Sequence, residues 1–375
     1  MLPQAGDLLP QAGNLLLQAG MSSLSSILPA LLLEGAAQEG LAVAWVPIQA
    51  AFEGKGWQDN WFDPRQQFPW AGTIVSFALP YPAPAVPPGL LEGRIAAFAA
   101  FDWYGALKEG LRRIAKALRE QLPGLRVKVL VEGPLQEKGW AWRSGLGWRG
   151  RNTLLFHPTW GSRLLLGELL VSEELEASAP SWVNHSPSER RSAQEGFAGN
   201  PAGECGDCRL CLEACPTGAL EENERNSIRP SAPFFHLHIE RCLDTLTLHH
   251  PGSLPDWARS VLGQRLVGCD LCQEVCPFNK VAPRAPFCSS NPPPGPGWKL
   301  SIPSSLALEE PRFRSVFTGH ALGRLPFARF LRNCLAAAGN SDGAAIAESV
   351  RPFLCHPDPI LAEQASWSLA RLTGQ

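Results

Sequence analysis

The chain has 375 residues, of which 45% are hydrophobic and 18% are charged, and this balance is typical of a globular protein with buried cores. Eleven cysteines are too few for a disulfide scaffold of this length, so their clustering indicates metal binding in a reducing compartment. The formal net charge of −2 indicates no particular class of partner.

The N-terminal segment carries a seven-residue repeat, LPQAGDL, LPQAGNL and LLQAGMS, after Met1. Its glycines and prolines oppose a stable helix, so we expect residues 1–20 to be disordered, with Met21 as the true start. No Lys or Arg precedes Lys55, and no unbroken apolar run reaches about 18 residues. We therefore expect neither a secretory signal nor a membrane span, and a cytoplasmic location.

Residues 22–180 combine strand and helix patterns. Buried strands are predicted over GLAVAWVPI, AGTIVSFALPY, LRVKVLVEG and RNTLLFHP, and a long amphipathic helix is predicted from Tyr104 to Leu122. Strands that alternate with helices indicate an α/β domain. Residues 178–204 are polar and rich in Ser, Pro and Gly, which favours a connector before the cysteine-rich segment.

Residues 305–375 show helical periodicity. Three helices are predicted there, over FARFLRNCLAAAG, GAAIAESVRPFL and PILAEQASWSLARL, and they are separated by GNSDG and HPDP. This arrangement is similar to a short HEAT-like pair with one extra helix. The expected fold class is therefore α+β and multidomain, with an α/β domain at 22–180, a cysteine-rich domain at 195–290 and HEAT-like helices at 305–375.

The cysteine-rich segment holds two groups of four cysteines. Their order is Cys205-x2-Cys208-x2-Cys211-x3-Cys215-Pro216, then Cys242, then Cys269-x2-Cys272-x3-Cys276-Pro277. A [4Fe–4S] cluster takes one thiolate for each of its four irons, and the cysteine that precedes proline ligates the other cluster of a pair. The spacing therefore predicts a ferredoxin-like domain with two [4Fe–4S] clusters.

The expected ligands follow from this exchange of the fourth cysteine. The first cluster takes Cys205, Cys208, Cys211 and Cys276, and the second takes Cys215, Cys242, Cys269 and Cys272. Zinc and structural thiols are the alternatives, but a third Cys at x2 with a fourth before Pro is not zinc spacing. Two clusters carry single electrons, so the chain is either an electron carrier or a redox enzyme. The large domain at 22–180 favours the enzyme.

Two further segments carry candidate binding features. GLGWRG matches the pattern G-x-G-x-x-G, but a strand-like segment follows it, whereas a dinucleotide-binding loop follows a strand and opens a helix. This order argues against NAD binding. Residues 311–341 contain five arginines and no acidic residue, and they indicate either a basic face for nucleic-acid phosphates or an ordinary solvated surface. The five are Arg312, Arg314, Arg324, Arg329 and Arg332.

The order of several segments resembles epoxyqueuosine reductases. The segments are FDPRQQFPWAGTIVSFALPYP, GLGWRGRNTLLFHPTWGSRLLLGELLV, CGDCRLCLEACPTGAL, RCLDTLTLHHPGSLP, GQRLVGCDLCQEVCPFNK and RNCLAAAGNS. The resemblance implies a cobalamin-binding α/β domain, a double-cluster ferredoxin-like domain and HEAT-like helices. It also implies cobalamin without a protein ligand on cobalt, which agrees with the absence of D-x-H-x-x-G from the sequence.

The resemblance implies site residues as well. The cobalamin-binding positions correspond to Asn152, Leu155, Ser162 and Asp270. The family motif V-D-T-G carries the acid that protonates the epoxide oxygen, and counting back from GLGW without a gap places Val131 at that acid. Glu132 comes next, and we predict it as the catalytic acid if a one-residue bulge turns it inward.

The predicted function is reduction of the epoxide of epoxyqueuosine in the wobble position of the tRNA anticodon loop, which gives queuosine. Electrons pass from an external low-potential donor through the two clusters to cobalamin. The alternatives are a corrinoid iron–sulfur reductase of a small molecule, similar to reductive dehalogenases, and a non-catalytic electron carrier. They stay open because the family pattern changes at Val131, Trp61 and Tyr104. We expect a monomer.

Overall fold

The structure is a computed structural model that describes residues 24–49, 62–83, 88–179, 205–223, 234–281, 292–341 and 344–374. The predicted N-terminal extension, the start at Met21, Trp61 and most of the connector at 178–204 lie outside these residues. Among the described helices, none is long and apolar enough to cross a membrane.

The described part of the chain contains eleven strands. They are β1 (Ala42–Pro47), β2 (Thr73–Pro80), β3 (Glu92–Ile95), β4 (Val127–Leu130), β5 (Trp148–Arg149), β6 (Leu155–Phe156), β7 (Leu164–Val171), β8 (Leu220–Asn223), β9 (Phe234–Leu237), β10 (Arg265–Val267) and β11 (Lys299–Ser301).

The same residues form thirteen α-helices. They are α1 (Leu24–Gln38), α2 (Trp103–Gln121), α3 (Glu137–Arg143), α4 (Leu210–Glu213), α5 (Leu243–Leu248), α6 (Asp256–Val261), α7 (Leu271–Glu274), α8 (Pro277–Val281), α9 (Ile302–Leu306), α10 (Glu310–Val316), α11 (Phe327–Gly339), α12 (Ala344–Val350) and α13 (Pro359–Thr373).

The chain divides into two compact units that interleave along the sequence. The first comprises Met1–Tyr81, Tyr104–Cys208 and Pro277–Asn291, and the second comprises Pro82–Trp103, Arg209–Cys276 and Pro292–Gln375. Six of the eight motif cysteines and the C-terminal helices thus belong to the second unit. The predicted domains at 22–180, 195–290 and 305–375 stay a prediction.

A four-stranded antiparallel sheet lies at the centre of the first unit, in the order β1-β2-β7-β4. The structure confirms the predicted strands that became β1, β2 and β4, whereas RNTLLFHP contributes only the two residues of β6. The strand β7, which pairs with both β2 and β4, was not predicted. All pairings in this four-stranded sheet are antiparallel, so it differs from the parallel sheet that is usual in α/β domains.

Helices cover both faces of this sheet. The predicted helix over Tyr104–Leu122 is confirmed as α2, and its side chains Leu107 and Leu111 approach Gly167 of β7. Helix α3 contacts β1, β2 and β7, and its Trp140 packs in one apolar cluster with Leu170. Since residues 167 and 170 differ by an odd number along a strand, α2 and α3 cover opposite faces.

The GLGWRG segment forms a tight hairpin. It follows α3, and β5 within it pairs with β6 in antiparallel orientation. This confirms the predicted order, in which a strand follows the glycines rather than preceding them. Gly147 is needed because a Cβ at this position would lie 2.1 Å from the carbonyl oxygen of Phe156.

The second unit is organised around α11. A three-stranded sheet of order β10-β3-β11 lies in this unit, with β3 parallel to β10 and antiparallel to β11. Helix α11 contacts β10, α9 and α13, and every residue from Phe330 to Gly339 is buried. A helix that is buried on all sides lies inside a core, so α11 fixes the position of its neighbours.

The C-terminal helices largely follow the sequence prediction. FARFLRNCLAAAG forms α11, and PILAEQASWSLARL forms α13. The middle segment is shorter than predicted, because α12 ends at Val350 and a 3₁₀ helix follows from Arg351 to Cys355. Pro352 lies at the start of the 3₁₀ helix and has no N–H for an α-helical hydrogen bond. The HEAT-like character of these helices stays a prediction.

We predict that Gly147→Ala destabilises the first unit by roughly 1–3 kcal/mol, because the new methyl group overlaps the backbone of β6. Gly133→Ala is the matched control, since a Cβ there meets Leu130 at an ordinary 3.5 Å. Urea unfolding of both variants measures the difference. Equal midpoints would contradict the close approach of the backbone at Gly147.

Candidate functional site

The two cysteine motifs share a local architecture. In each motif, one cysteine lies on a one-turn helix. It is Cys211 on α4 in the first motif and Cys272 on α7 in the second. A cysteine followed by proline comes four residues later, at Cys215 and Cys276. Helices α4 and α7 contact each other within the second unit. The sequence repeat therefore folds as a structural repeat, which is what a pair of equivalent clusters requires.

The four cysteines that the sequence assigns to the second cluster are electrostatic neighbours. Burial raises the pKa of the Cys269 thiol to about 11, and Cys242 adds to the shift. Burial likewise raises the pKa of Cys242, and the charge of the nearby Cys215 thiolate adds to this increase. The pKa of Cys272 lies well above its ordinary value because of burial and then because of three nearby thiols. They are Cys269, Cys242 and Cys211.

This arrangement suits a cationic cluster. Buried thiolates that repel one another need positive charge between them, and iron in a [4Fe–4S] cluster supplies it. Cys272 interacts with members of its own group and with Cys211 of the other group, so the two groups adjoin. No three Cys, His, Asp or Glu side chains of the described residues are grouped to hold a single metal ion.

Cys215 has surroundings that favour a thiolate. Burial raises the pKa of its thiol, but hydrogen bonds from Thr217, Ala219 and Leu220 outweigh burial and lower the pKa overall. The Ala219 N–H donates to the sulfur at 3.3 Å, and the Thr217 hydroxyl lies 3.4 Å from it. Hydrogen bonds to cluster sulfurs also tune the reduction potential, so these groups bear on electron transfer.

The predicted ligands of the first cluster differ in their local surroundings. Cys211 and Cys276 are buried in the second unit, whereas Cys205 and Cys208 belong to the first. In the first unit, the Arg151 N–H donates to the Cys205 sulfur at 3.4 Å, and the Arg151 guanidinium donates to the Gly206 carbonyl at 2.5 Å. Sequence reasoning missed Arg151, whose only signal is its place directly after GLGWRG.

Three of the predicted cobalamin positions lie close along the chain in the first unit. Asn152, Leu155 and Ser162 are all buried. The Oδ1 atom of Asn152 accepts from Leu154, but its Nδ2 atom is buried without a hydrogen-bond partner among the described residues. The Ser162 N–H donates to Asn279 Oδ1 at 2.7 Å. A buried, unsatisfied donor such as Asn152 Nδ2 fits a site that a polar ligand completes.

Asp270, the fourth predicted cobalamin position, belongs to the second unit. Its carboxylate accepts a hydrogen bond from the Ala97 N–H at 2.6 Å, and its side chain is buried. In the sequence, Asp270 lies between Cys269 and Cys272. Asp270 thereby joins the second cysteine motif to the segment after β3. This contact gives Asp270 a structural role independent of any ligand.

The structure corrects the geometric argument for Glu132. Strand β4 ends at Leu130, so strand alternation does not reach Val131 or Glu132. Glu132 instead has a left-handed backbone with φ of 54°, and its side chain is exposed. The predicted inward turn beside an apolar surface is therefore wrong. Its backbone N–H donates to the carboxylate of Glu137 at 2.8 Å, which holds the turn in this conformation.

Two other carboxyl groups lie near this turn. Burial raises the pKa of Glu137 to about 7; the hydrogen bond from the Glu132 N–H opposes the shift, and the nearby Glu132 carboxyl adds to it. Glu168 on β7 is fully buried, and burial together with the Glu137 charge raises its pKa well above the ordinary value. Neither was predicted, because their burial depends on the register of a strand that the sequence pattern does not reveal.

Only some of the five arginines are exposed, as a basic face would require. Arg312 and Arg324 are exposed. Arg314 binds Glu310 and the carbonyls of Gly323 and Leu325, and Arg329 donates to the Leu248 carbonyl. Arg332 is wrong as a phosphate contact, because it is 1% exposed. Its guanidinium is instead hydrogen-bonded inside the second unit.

The partners of Arg332 belong to the segment between Cys242 and Cys269. The guanidinium donates to the carbonyls of Leu246 at 2.8 Å, His250 at 2.8 Å and Gly252 at 2.5 Å. The next residue, Asn333, donates to the carbonyls of Thr247 and Leu266. These two side chains therefore fix the backbone on which the second group of cysteines is carried.

Comparison with known proteins agrees with these features. A family model described as a 4Fe-4S double cluster binding domain matches residues 204–279. The chain is thus an iron–sulfur protein with a domain for two [4Fe–4S] clusters.

The relatives define the family. The epoxyqueuosine reductase of Synechococcus is 32% identical over 282 residues, which cover 73% of this chain and 77% of that protein. The enzyme of Burkholderia pseudomallei is 30% identical over 282 residues, which cover 72% of this chain and 63% of that protein. The chain belongs to the epoxyqueuosine reductase family, a family of oxidoreductases, and this confirms the resemblance of the motifs.

A solved structure extends the likeness to the fold. The crystal structure of an epoxyqueuosine reductase with a tRNA-Tyr epoxyqueuosine-modified stem loop matches with a TM-score of 0.69 at 23% identity. The match covers 92% of this chain and 90% of that chain.

We predict that Arg332→Lys destabilises the second unit by roughly 2–4 kcal/mol, because an ammonium group leaves buried carbonyls without donors. Arg312→Lys, at an exposed position of the same unit, is the control and stays within about 0.5 kcal/mol of wild type. Urea unfolding measures both. A stable Arg332→Lys variant with unchanged iron content would contradict the structural role of Arg332.

Proposed function

We propose that this protein reduces the epoxide of epoxyqueuosine in the wobble position of tRNA to queuosine. The observation that carries the proposal is the double-cluster domain, with its converging thiols, in a chain of the epoxyqueuosine reductase family. Opening and deoxygenating an epoxide requires electrons, and a pair of adjoining clusters delivers them one at a time.

In the proposed electron path, an external low-potential donor reduces the clusters. The first cluster binds Cys205, Cys208, Cys211 and Cys276, and the second binds Cys215, Cys242, Cys269 and Cys272. The mutual effects on pKa among the cysteines of the second group support its membership. The exchange of Cys215 and Cys276 between the groups rests on the spacing before proline.

We assign cobalamin as the further cofactor. Asn152, Leu155, Ser162 and Asp270 would hold it, and the unpartnered Nδ2 of Asn152 supports this among the described residues. When bound, cobalamin supplies a redox-active cobalt that accepts electrons at low potential. The buried residues exclude water from that site, and the Ser162–Asn279 hydrogen bond keeps the backbone in place.

For the tRNA, the exposed arginines suit phosphate contacts, and they are Arg312, Arg314 and Arg324. The relative whose structure contains an epoxyqueuosine-modified tRNA stem loop supports the same class of substrate here. These arginines lie on α10 and the 3₁₀ helix Ala321–Arg324, and helices α11 to α13 would form the HEAT-like part that follows. A tRNA substrate also supports a cytoplasmic location.

Val131 favours a second candidate function. The resemblance places the family acid at this position, but a valine side chain has no acidic proton to donate. A corrinoid-dependent reductase of a small molecule is therefore the alternative. The two functions differ in their effect on tRNA, because only the first changes its nucleoside content.

We predict that deletion of the gene leaves epoxyqueuosine in tRNA, and that wild-type protein restores queuosine. Cys272→Ser should fail to restore it, since that thiol is at the centre of the second group. Cys355→Ser is the matched control and should complement fully, because Cys355 is exposed and outside the motifs. Mass spectrometry of tRNA nucleosides gives the answer, and unchanged queuosine in the deletion strain would contradict the proposed function.

We also predict roughly eight irons per chain after anaerobic purification, from two clusters of four. Replacing Cys215 should remove the second cluster and replacing Cys276 the first, so each variant keeps roughly four irons. Iron analysis with electron paramagnetic resonance distinguishes them. A wild-type content near four, with all eight cysteines intact, would disprove the ligand assignment.

A further inference from the structure

A carboxyl group lies in the middle of an apolar sheet face in the first unit. Leu166, Glu168 and Leu170 of β7 share one face because they alternate along the strand. Glu168 is completely buried, and neither of its carboxyl oxygens has a hydrogen-bond partner among the described residues. An ionised carboxylate in such surroundings is very unfavourable, so this group holds its proton.

The sheet register places Glu168 next to the turn that contains Val131, the predicted position of the family acid. Ser76 of β2 lies opposite Glu168 on one side, and Leu130 of β4 lies opposite on the other. Leu130 is the last residue of β4, and the chain continues directly into Val131 and Glu132. The buried carboxyl therefore lies in the last residue pair of β4 with β7 before the turn.

Glu137 connects the buried carboxyl with the turn. It is the first residue of α3, which packs on β7, and its charge acts on Glu168. Its Oε1 atom accepts the Glu132 N–H at 2.8 Å. The pKa of Glu137, raised to about 7 by burial, means that the group gains and loses a proton near neutral pH. A general acid works best with a pKa near the operating pH.

Other charged groups around the pair come from three elements. The turn contributes Glu132, and α3 contributes Lys138 and Arg143. Strand β4 contributes Lys128, whose ammonium lies 5.9 Å from the ring centre of Phe68. Strands β1 and β2 contain no charged residue. Within the described part of the chain Glu168 forms no ion pair, and its neutral form is the stable one.

We propose that Glu137 donates the proton to the epoxide oxygen in this protein. This inference rests on the proposed function. It assigns the acid role to the carboxyl of α3 beside the turn, in place of an acid at the predicted position Val131 and of the exposed Glu132.

The reaction balances with two protons and two electrons. Both C–O bonds of the epoxide break, a C=C bond forms between the two carbons, and the oxygen leaves as water after accepting two protons. The external low-potential donor supplies the two electrons and is oxidised. Glu137 gives one proton to the oxygen, solvent gives the second, and solvent reprotonates Glu137 after turnover.

The test measures kcat and KM for epoxyqueuosine-containing tRNA from about pH 6 to 9, with protein that holds both clusters and cobalamin and with a chemical reductant. For wild type, kcat falls as pH rises through about 7, because Glu137 loses its proton there. Glu137→Gln lowers kcat at least about tenfold, leaves KM unchanged and abolishes this inflection. Glu109→Gln, an exposed carboxyl of α2, is the control for loss of a glutamate.

Glu168→Gln tests whether the second buried carboxyl takes part in proton transfer. Glutamine has the shape of the neutral acid but carries no acidic proton. Because Glu168 holds its proton and its oxygens have no hydrogen-bond partner among the described residues, the variant should keep the wild-type kcat and pH inflection. A loss in Glu168→Gln equal to that in Glu137→Gln overturns the assignment of Glu137 as the donor. A loss in Glu132→Gln equal to that in Glu137→Gln overturns the assignment of the donor.

A second readout does not depend on activity. Infrared spectroscopy of the same protein should show protonated carboxyl bands that persist above about pH 6, where ordinary carboxyls are ionised. Glu137→Gln should remove the component lost near neutral pH, and Glu168→Gln the component that survives longest. Absence of both bands overturns the inference. If wild type leaves epoxyqueuosine unchanged, the proposed function fails and the donor role with it; if wild type is active and Glu137→Gln matches it, only the inference fails.

Discussion

The cysteine segment depends on hydrogen bonds from one buried helix. Between Cys242 and Cys269 the chain has two short helices and the three-residue strand β10, so many of its carbonyls lie outside regular structure. Arg332 and Asn333 of α11 supply donors to five of these carbonyls from inside the core. Since α11 also packs on β10 and α13, its core fixes the positions from which the thiols project.

The two units carry different chemical groups. The second unit carries six of the eight motif cysteines, in surroundings that favour a cationic cluster over free thiolates. The first unit carries two carboxyls, Glu137 and Glu168, whose burial favours the protonated form. Low polarity thus acts in opposite directions on the two sets: it makes metal necessary for the thiols and it retains protons on the carboxyls.

Sequence patterns predicted the features that depend on local spacing. The cysteine motifs, β1, β2, α2 and the helices α11 and α13 belong to this class. Features that depend on long-range register were missed. Gly167 and Glu168 interrupt the apolar run of β7, yet both face packed helices. Arg332 was predicted as a surface cation because its charge gives no sign of the distant carbonyls that surround it. Glu132 was placed by strand alternation, which stops at Leu130.

The central claim is that this chain deoxygenates epoxyqueuosine although the predicted position of the family acid holds Val131. The most direct measurement incubates the purified protein, loaded with both clusters and cobalamin, with tRNA that contains epoxyqueuosine and a low-potential reductant. Mass spectrometry of the digested tRNA should then show queuosine appearing in the same amount as epoxyqueuosine disappears. Unchanged epoxyqueuosine, with full iron and cobalamin content and intact tRNA binding, would contradict the account.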